Sequence, residues 1–323
     1  MHLPGRRKGV DDTKTRETLI SRNYSIVHLT HNDLDAVGAD TVHRMKYENV
    51  FTIWSSVGKF PYYMRMISDN NGEGKILSIS DIGYSRGIED LLKKIKAKKW
   101  KVEWRDHHRW QDDELRRIEI IADHITVDTH TCACGICAKE IMPGDKDASM
   151  IAETVCDYDL WLHKDPRSGV LGLVLQREKN RDYVRDLFLS GKLTDSKVES
   201  EYRDIKLDME RKMQKSLDHT IVQGNRLKIA FAPMYGYPSE TAHFIRDSLM
   251  TDMEVIISHD GRFSLRSVPP ISHIIAREYK GGGHPVAAGG SFRFSFMERI
   301  TYSLLHRSRH FEQFTALAES IRV

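Results

Sequence analysis

Hydrophobic and polar positions in the first half of the chain follow two alternating periods. Short runs rich in β-branched and aromatic residues predict strands at 24–30, 50–55, 75–80, 100–105 and 125–128. Stretches with helical periodicity lie near 36–47, 86–99, 148–156 and 171–189. Strands that alternate with helices are typical of a parallel sheet covered by helices. The pattern therefore predicts an α/β domain.

A different pattern occupies the middle of the chain. Between Ser196 and Thr220, apolar residues recur every three or four positions among dense charges: Val198, Tyr202, Ile205, Met209, Met213 and Leu217. This spacing predicts one long amphipathic helix with a narrow apolar stripe. Because a solvated helix of this kind can bridge two domains, we place a domain boundary there.

The end of the chain predicts a second, smaller α/β domain. Strands are expected at 226–232, 254–258 and 263–267, and helices at 239–249 and 270–279. Asp260 and Gly261 predict a hairpin turn, because both residues tolerate positive φ. A glycine-rich loop at 281–283 and a final helix follow. We expect a flexible basic arm at 1–22, one domain at 23–195, a linker helix at 196–222 and a second domain at 223–323.

Charge and composition narrow the class of protein. The 323 residues include 49 Lys and Arg against 46 Asp and Glu, a net charge of +3, which argues against a dedicated binder of long duplex. The hydrophobic share of 40% is ordinary for a soluble globular enzyme. No apolar run approaches the ~20 residues of a membrane-spanning helix, and the N-terminus lacks the apolar stretch of a secretory signal. We therefore expect a cytoplasmic protein with no membrane contact.

Cysteine is sparse and unevenly placed. Cys132, Cys134 and Cys137 lie within six residues, and Cys156 is the fourth. This crowding is unlike a disulfide framework and is consistent with a reducing compartment. A structural zinc site at the four thiols stays open, but we favour buried free thiols because only one true Cys-x-x-Cys occurs.

Acidic and histidine side chains follow three of the predicted strands. The first strand leads into His31, Asp33 and Asp35, the third into Asp81, and the fourth into the triplet 106–108, Asp-His-His. Ligands of open parallel sheets bind outside the carboxyl ends of the strands. A lone Asp after a strand often just caps the next helix, but carboxylates that converge from three strands repel one another. Two divalent cations would relieve this repulsion, and a pair of ions ~3.5–4 Å apart can stabilise phosphoryl transfer.

Five elements in order resemble the motifs of the DHH phosphoesterase family, which includes RecJ-like and nanoRNase-like enzymes. They are Asp33-x-Asp35, Asp81, Asp106-His107-His108, Asp157 and the glycine-rich segment 281–290, which is similar to the signature of the family's C-terminal substrate-binding domain. The match spans roughly residues 24–295. It implies an α/β fold in which an N-terminal parallel-sheet DHH domain is joined by a long helix to a smaller C-terminal α/β domain, with the active site in the cleft between them.

The resemblance also implies a site for two divalent ions, Mn²⁺ with Mg²⁺ or Co²⁺ as alternatives. Asp81 would bridge the ions and Asp33 would hold one of them, while Asp35, His107 and Asp157 would hold the other. Besides Asp81 and His107, the catalytic set would include His108, at the scissile phosphate or behind the ligands. A bridging hydroxide would attack phosphorus.

Two assignments in this set stay open. Many relatives carry a ligand histidine four positions before the first motif aspartate, where this chain has Leu29. His31 stands two positions before Asp33 instead, and we count it as a metal ligand with a structural role as the alternative. For the fourth motif, position favours Asp157, with Asp159 hydrogen-bonded nearby.

The C-terminal domain is expected to bind substrate. Gly282 and Gly283 allow the backbone to approach a ligand closely, and successive N–H groups can form an anion-binding nest. His284 adds a hydrogen-bond donor. The resemblance extends to Arg266, followed by Ser267, as the family's substrate-binding arginine, whose guanidinium could fork onto a phosphate.

The function expected from these features is a Mn²⁺-dependent phosphodiesterase or exonuclease that hydrolyses short single-stranded RNA or DNA to mononucleotides. The nearest alternative is a hydrolase of cyclic or linear dinucleotides, or of a nucleoside 3′,5′-bisphosphate. A third hypothesis is an inactive nucleic-acid-binding or replication scaffold, which the complete set of ligand residues disfavours. A homodimer stays open.

Overall fold

The computed structural model describes residues 12–321, and the chain divides between Tyr202 and Arg203 into two compact units. In the first unit five strands alternate with helices: α1 (Thr13–Ser21), β1 (Ile26–Thr30), α2 (Leu34–Lys46), β2 (Val50–Trp54), α3 (Phe60–Ser68), β3 (Ile76–Ser80), α4 (Ile88–Ala97), β4 (Lys101–Asp106), α5 (Asp112–Glu119), β5 (His124–Val127), α6 (Ala133–Ile141), α7 (Lys146–Asp159), α8 (Pro166–Val174) and α9 (Arg181–Leu189). The predicted α/β architecture is confirmed.

The five strands form one parallel sheet in the order β2-β1-β3-β4-β5. Ile26 pairs with Val50 on one side and with Ile76 on the other, so β1 lies between β2 and β3. From β1 the chain adds β2 on one side and then β3, β4 and β5 on the other, so the strand order reverses at β1. Such a reversal opens a crevice at the carboxyl ends of the two strands beside it, where α/β proteins bind ligands.

The central strands are buried on both faces, as parallel sheets require. All five residues of β1 are buried, and so are the last four of β3. The largest buried side chains include Trp100, Trp104 and Phe60, whose ring centroid lies 5.5 Å from that of Trp104. Burying a large apolar side chain contributes roughly 1.5–3 kcal/mol, so this core fixes the strands that carry the polar residues at their ends.

The expected flexible arm is partly folded. Residues 13–21 form α1, Leu19 is fully buried, and the hydroxyl of Tyr63 donates to Asp12 at 3.1 Å. The prediction of an arm was wrong for this segment, because one apolar side chain anchors a short polar helix to the core. Residues 1–11, with the basic positions 6–8, lie outside the described residues.

The long helix α10 (Ser196–Asp218) crosses the boundary, close to the predicted limits. The second unit continues with β6 (Ile221–Gln223), β7 (Ile229–Pro233), α11 (Pro238–Leu249), β8 (Met253–Ile257), β9 (Arg262–Ser267), α12 (Ser272–Glu278), β10 (Gly282–His284), β11 (Ala287–Ser291), α13 (Phe296–Leu305) and α14 (His310–Ser320). Its six strands form a mixed sheet in the order β10-β11-β9-β8-β7-β6, in which only β7 and β8 are parallel.

Three local predictions were wrong. The expected helix at 171–189 is two helices, α8 and α9, because the Asn180 amide donates to the carbonyl of Val174 and ends the first one. The expected loop at 281–283 is largely strand β10, paired with β11. The single final helix is α13 followed by α14, separated where His306 adopts a left-handed backbone.

Among the described residues no helix combines the length and apolar character needed to cross a bilayer.

Candidate metal centre

The loop between β1 and α2 carries the first two site residues. The Oδ1 of Asp33 accepts from the N–H of Ala36 at 3.1 Å and so caps α2. Its Oδ2 lies 2.7 Å from Nδ1 of His31. Burial alone would raise the pKa of Asp33, but the hydrogen bond and charge of His31 outweigh it and lower that pKa. The aspartate thus caps a helix and still directs one oxygen toward the crevice.

Asp81 follows β3 with a backbone conformation that is uncommon for residues other than glycine. Its φ is +54°, in the left-handed region, and its N–H donates to the carbonyl of Arg105 at 3.2 Å. The side chain is only 3% exposed. Its buried Oδ2 makes no hydrogen bond within the described chain, which is costly for a carboxylate. Non-glycine residues in this region cluster at functional sites.

Asp35 is held by the start of a helix far along the chain. Its two oxygens accept from the N–H groups of Ala133 at 2.8 Å and Cys134 at 2.7 Å. These groups belong to the N-terminus of α6, where unpaired N–H groups and the helix dipole favour a negative charge. Even so, burial and the nearby charges of Asp159 and Asp33 raise the pKa of Asp35 well above its usual range.

The two histidines after β4 have different surroundings. Nε2 of His107 lies 3.3 Å from Asp81 and 3.6 Å from Asp35, while its Nδ1 lies 3.5 Å from Asp159. His108 is half exposed, and its Nδ1 pairs with the buried Asp106 at 2.8 Å. This hydrogen bond raises the pKa of His108. His107 therefore lies among carboxylates, whereas His108 presents a ring edge to solvent.

Asp106, which orients His108, is itself held by a second hydrogen bond. Its second oxygen accepts from the indole N–H of Trp110 at 2.6 Å, and the residue is fully buried. The first residue of the triplet therefore anchors the second histidine and belongs to none of the candidate ligand groups among the described residues.

Asp157 and Asp159 lie on the last turn of α7 but make different contacts. The carboxylate of Asp157 accepts from the N–H groups of Lys164 at 2.8 Å and Asp165 at 3.1 Å, and from the hydroxyl of Ser168 at 2.6 Å. These bonds overcome the effect of burial and lower the pKa of Asp157. Asp159, not Asp157, joins the cluster of the other site residues. The carboxylate of the expected ligand Asp157 is thus bonded to the turn before α8 and its first residues.

Three overlapping groups bring ligand atoms within 4.8 Å of one another: His31, Asp33 and Asp81; Asp35, His107 and Asp159; and Asp81, His107 and His108. Burial, followed by the charges of Asp35 and Asp33, raises the pKa of Asp81 well above its usual range. Mixed carboxylate and imidazole donors suit Mn²⁺ and related ions. The donor set, its mutual repulsion and the unpaired oxygen of Asp81 all fit a divalent-metal centre.

A buried polar network lies behind the cluster, and the sequence analysis missed it. The imidazole of His28 lies 2.7 Å from the hydroxyl of Ser80 and 2.9 Å from Asp40. The hydroxyl of Thr30 donates to the carbonyl of Ser80 at 3.0 Å. Since Ser80 directly precedes Asp81, these bonds hold the end of β3 in place next to Asp81. The signal available in the sequence was polar residues at positions 28, 78 and 80 inside otherwise apolar strands.

The cysteines contradict the expectation of four free thiols. Cys132 and Cys156 form a disulfide, which joins the residue that caps α6 to α7. Cys134 and Cys137 are free and buried, and burial raises the pKa of Cys137 to about 12. Two of the four sulfurs are thus committed to each other, and none belongs to a candidate metal group among the described residues.

In the second unit, the expected substrate residues lie on the sheet edge formed by β9, β10 and β11. Gly283 has a φ of +144°, and a Cβ there would lie 2.6 Å from the carbonyl of Ala287, so only glycine fits. His284 is exposed. The guanidinium of Arg266 donates to Ser239 at 2.7 Å. The hydroxyl of Ser267 is buried against Pro269 and Ser272, so this residue supports the edge from inside.

Comparisons with known proteins identify the fold. No protein-family model matches the chain, and no curated protein matches it in sequence. Among solved structures, a pGpG-specific phosphodiesterase, PggH from Vibrio cholerae, is similar with a TM-score of 0.57 and 10% identity, covering 90% of this chain and 99% of that one. The exonuclease RecJ bound to manganese is similar with a TM-score of 0.56 and 12% identity, covering 100% and 97%.

Two further solved structures have a similar fold. An exopolyphosphatase-related protein from Bacteroides fragilis is similar with a TM-score of 0.51 and 14% identity, covering 98% of this chain and 100% of that one. The DHH domain of a protein described as a member of a family of ribosomal proteins is similar with a TM-score of 0.52. The chain thus has the α/β fold of DHH-type phosphoesterases, as its motifs predict.

Proposed function

We propose that this chain, which has the fold of DHH-type phosphoesterases, is a metal-dependent phosphodiesterase that hydrolyses short single-stranded oligonucleotides. The observation that carries the proposal is the convergence of residues that follow β1, β3 and β4, and of Asp159 on α7, around the unpaired, buried oxygen of Asp81. Such a cluster is unfavourable as an empty structural feature. It is well suited to bind cations that a phosphate substrate can share.

Two ion positions follow from the ligand groups. His31, Asp33 and Asp81 would hold one ion, and Asp35, His107 and Asp159 the other. Asp81 directs Oδ1 toward His107 at 3.3 Å and Oδ2 toward His31 at 3.8 Å, so its carboxylate faces both groups. This arrangement supports the bridging role expected for Asp81. It also favours His31 as a ligand.

In this proposal Asp159 takes the place that we expected for Asp157. The carboxylate of Asp157 already accepts three hydrogen bonds from the segment before α8. A carboxylate with its lone pairs used in this way is a poor candidate for a metal ligand. Asp157 is instead proposed to hold the turn that positions Asp159.

Bound divalent ions would supply an activated water and neutralise the charge that develops on the phosphate; Mn²⁺ is our choice, with Mg²⁺ or Co²⁺ as alternatives. The chain's own residues orient these partners. Pairing with Asp106 raises the pKa of His108 and so favours its protonated form, which can donate the Nε2 proton to a phosphate oxygen or to the leaving oxygen. Asp35 is held by α6 in the orientation that ligation needs.

The second unit is proposed to bind one end of the substrate. Gly283, where a side chain would not fit, lets the backbone approach a ligand, and His284 is exposed beside it. Arg266 and Ser239 supply donors on a neighbouring strand and helix. A site that binds an end favours short substrates, and the net charge of +3 agrees with a ligand of few phosphates.

A linear or cyclic dinucleotide is the second candidate substrate. The similar structure of PggH is described as a pGpG-specific phosphodiesterase, which supports a substrate of this class. A nucleoside 3′,5′-bisphosphate is a further candidate among these small substrates. Cytoplasmic location and a homodimer stay predictions.

The test is hydrolysis of end-labelled oligonucleotides of graded length, with a linear and a cyclic dinucleotide alongside, in the presence of Mn²⁺. The wild-type chain should release mononucleotides, and Asp81→Asn should not. Asp128→Asn is the matched control, because Asp128 also follows a parallel strand but belongs to no ligand group among the described residues. Equal turnover by Asp81→Asn and the wild type would exclude the proposed centre.

A further inference from the structure

A cavity lies in the C-terminal unit, at the end of the sheet opposite Arg266. Its volume is about 410 Å³, within the range of roughly 300–1,000 Å³ that is typical of small-molecule sites. Pro233 and Ile257, the last residues of β7 and β8, line its floor. These two strands are parallel and α11 connects them, so the cavity lies at the carboxyl ends of a parallel pair, where α/β sheets bind ligands.

Strand pairing separates this cavity from the proposed substrate edge. Ile257 pairs with Phe263 at the beginning of β9, whereas Glu254 pairs with Arg266 near its end. No residue of β10 or β11 lines the cavity. The two sites therefore use different ends of the same sheet.

The lining of the cavity combines basic groups with aromatic rings. Lys215, His219, His259 and His306 contribute donors or positive charge, and none of the described residues that line the cavity is an Asp or Glu. Tyr235 and Tyr302 contribute rings. The ammonium of Lys215 lies 4.1 Å from the ring centroid of Tyr235, so a cation and an aromatic face already meet there. Such a lining suits a ligand that is both anionic and aromatic.

His306 supplies a specific hydrogen-bonding group. Its Nε2 lies 3.3 Å from the hydroxyl of Tyr235, and its ring lies 4.6 Å from that of His219. When the tyrosine hydroxyl donates to Nε2, the proton of the neutral imidazole is on Nδ1. That Nδ1 is buried and has no hydrogen-bond partner among the described residues. An unpaired buried group of this kind calls for an acceptor.

We propose that this cavity binds a mononucleotide, with its phosphate at Lys215 and His219 and its base against the ring of Tyr235. Lys215 and His219 are exposed, and His219 uses Nδ1 on the carbonyl of Lys215, so its Nε2 and the Lys215 ammonium can turn to a phosphate. A base can stack on a tyrosine ring. The cavity accommodates a single nucleotide rather than a strand. The proposal does not depend on the catalytic one, because it involves neither the acidic cluster nor a metal.

The experiment measures AMP binding to the full chain in excess chelator, so that no metal-dependent hydrolysis can occur. Calorimetry gives the affinity, and the ring-proton NMR resonances of His219 and His306, assigned by their loss in His219→Gln and His306→Gln, report on the cavity itself. Adenosine and inorganic phosphate serve as separate probes. We expect AMP to shift both resonances, and each separate probe to bind at least tenfold more weakly than AMP.

The variants are chosen on exposed positions so that folding is preserved. Lys215→Gln and His219→Gln should each weaken AMP binding about tenfold. Lys206→Gln removes the same charge from an exposed position of α10 outside the cavity and should change the affinity less than twofold. Arg266→Ala, at the other end of the sheet, should leave the two histidine shifts unchanged.

Three results would overturn the inference. They are absence of AMP binding, the same affinity in Lys215→Gln and Lys206→Gln, or histidine shifts that disappear in Arg266→Ala. Equal affinity for AMP and inorganic phosphate would show that the cavity recognises phosphate alone and would refute a mononucleotide as its ligand. Since the assay contains no free divalent metal, each of these results leaves the proposed hydrolysis to its own test.

Discussion

The carboxylate of Asp35 accepts a hydrogen bond of 2.7 Å from the backbone N–H of Cys134, 99 positions away in the sequence. A second N–H, from Ala133, reaches its other oxygen. The start of α6 thereby holds a proposed metal ligand in place before any ion binds. The candidate metal centre is thus organised by backbone groups as well as by side chains.

The first prediction separates the two aspartates of α7. Asp159→Asn should lower the rate of oligonucleotide hydrolysis at least 100-fold and weaken Mn²⁺ binding, because it removes a charged ligand. Asp157→Asn should retain most of the activity per folded molecule but lose about 1–3 kcal/mol of stability, since an amide cannot accept all three hydrogen bonds. Hydrolysis rates and urea denaturation measure the two effects. The opposite pattern would restore Asp157 as the ligand.

The second prediction concerns stability without metal. Because the folded-state pKa values of Asp35 and Asp81 are raised, the folded protein binds more protons than the unfolded chain above the ordinary aspartate pKa. Their contribution to stability is therefore lost as the pH rises through the raised values. Chelated wild-type protein should be destabilised by these two groups at neutral pH relative to mildly acidic pH.

Asp81→Asn tests the same repulsion directly. At neutral pH in chelator this variant should be more stable than the wild type by between about 1 and 4 kcal/mol, the Coulomb repulsion of two charges at 4 Å in water-like and protein-surface surroundings. Added Mn²⁺ should stabilise the wild type much more than the variant. Thermal denaturation with and without Mn²⁺ measures this, and a less stable variant in chelator would contradict it.

The third prediction concerns the proton donor. His108→Ala should reduce kcat by roughly 10²–10⁴-fold, the usual contribution of a general acid. Asp106→Asn weakens the bond that raises the pKa of His108, so the alkaline limb of the kcat–pH profile should move to lower pH. A profile that keeps its alkaline limb in Asp106→Asn would assign the limb to another group.

The fourth prediction follows from the disulfide. Reduction of Cys132 and Cys156, 24 positions apart, should lower the stability by about 3 kcal/mol on the chain-entropy estimate. Because Cys132 caps the helix that holds Asp35, Mn²⁺ affinity should fall as well. The double variant Cys132→Ala/Cys156→Ala should be unaffected by reductant. Equal stability of the wild type with and without reductant would show that the bond makes no contribution.

The sequence predicted the strands and the polar groups at their ends well, for physical reasons. Buried parallel strands are continuous apolar runs, and strand ends such as those before Asp81 and His107 are marked by an abrupt change to charged residues. Parallel pairing then brings these ends together. The order of the motifs supplied the fold that the structural comparisons confirm.

Other features depend on contacts that no local pattern encodes. The carboxylate of Asp157 accepts from the N–H groups of Lys164 and Asp165, which are available only once the turn before α8 has formed, and so it does not join the cluster that includes Asp159. The disulfide depends on the packing of α6 against α7. The hairpin of β10 and β11 could not be predicted from the sequence, because its glycines are equally typical of a loop.

The most direct test of the central claim is electron paramagnetic resonance of the Mn²⁺-loaded protein, compared between the wild type and Asp81→Asn. If Asp81 bridges two ions, the wild type should show the exchange-coupled spectrum of a Mn²⁺ pair with two ions bound per chain. The variant should show only the spectrum of isolated ions. An uncoupled spectrum from the fully loaded wild type, or an unchanged coupled spectrum in Asp81→Asn, would contradict the account.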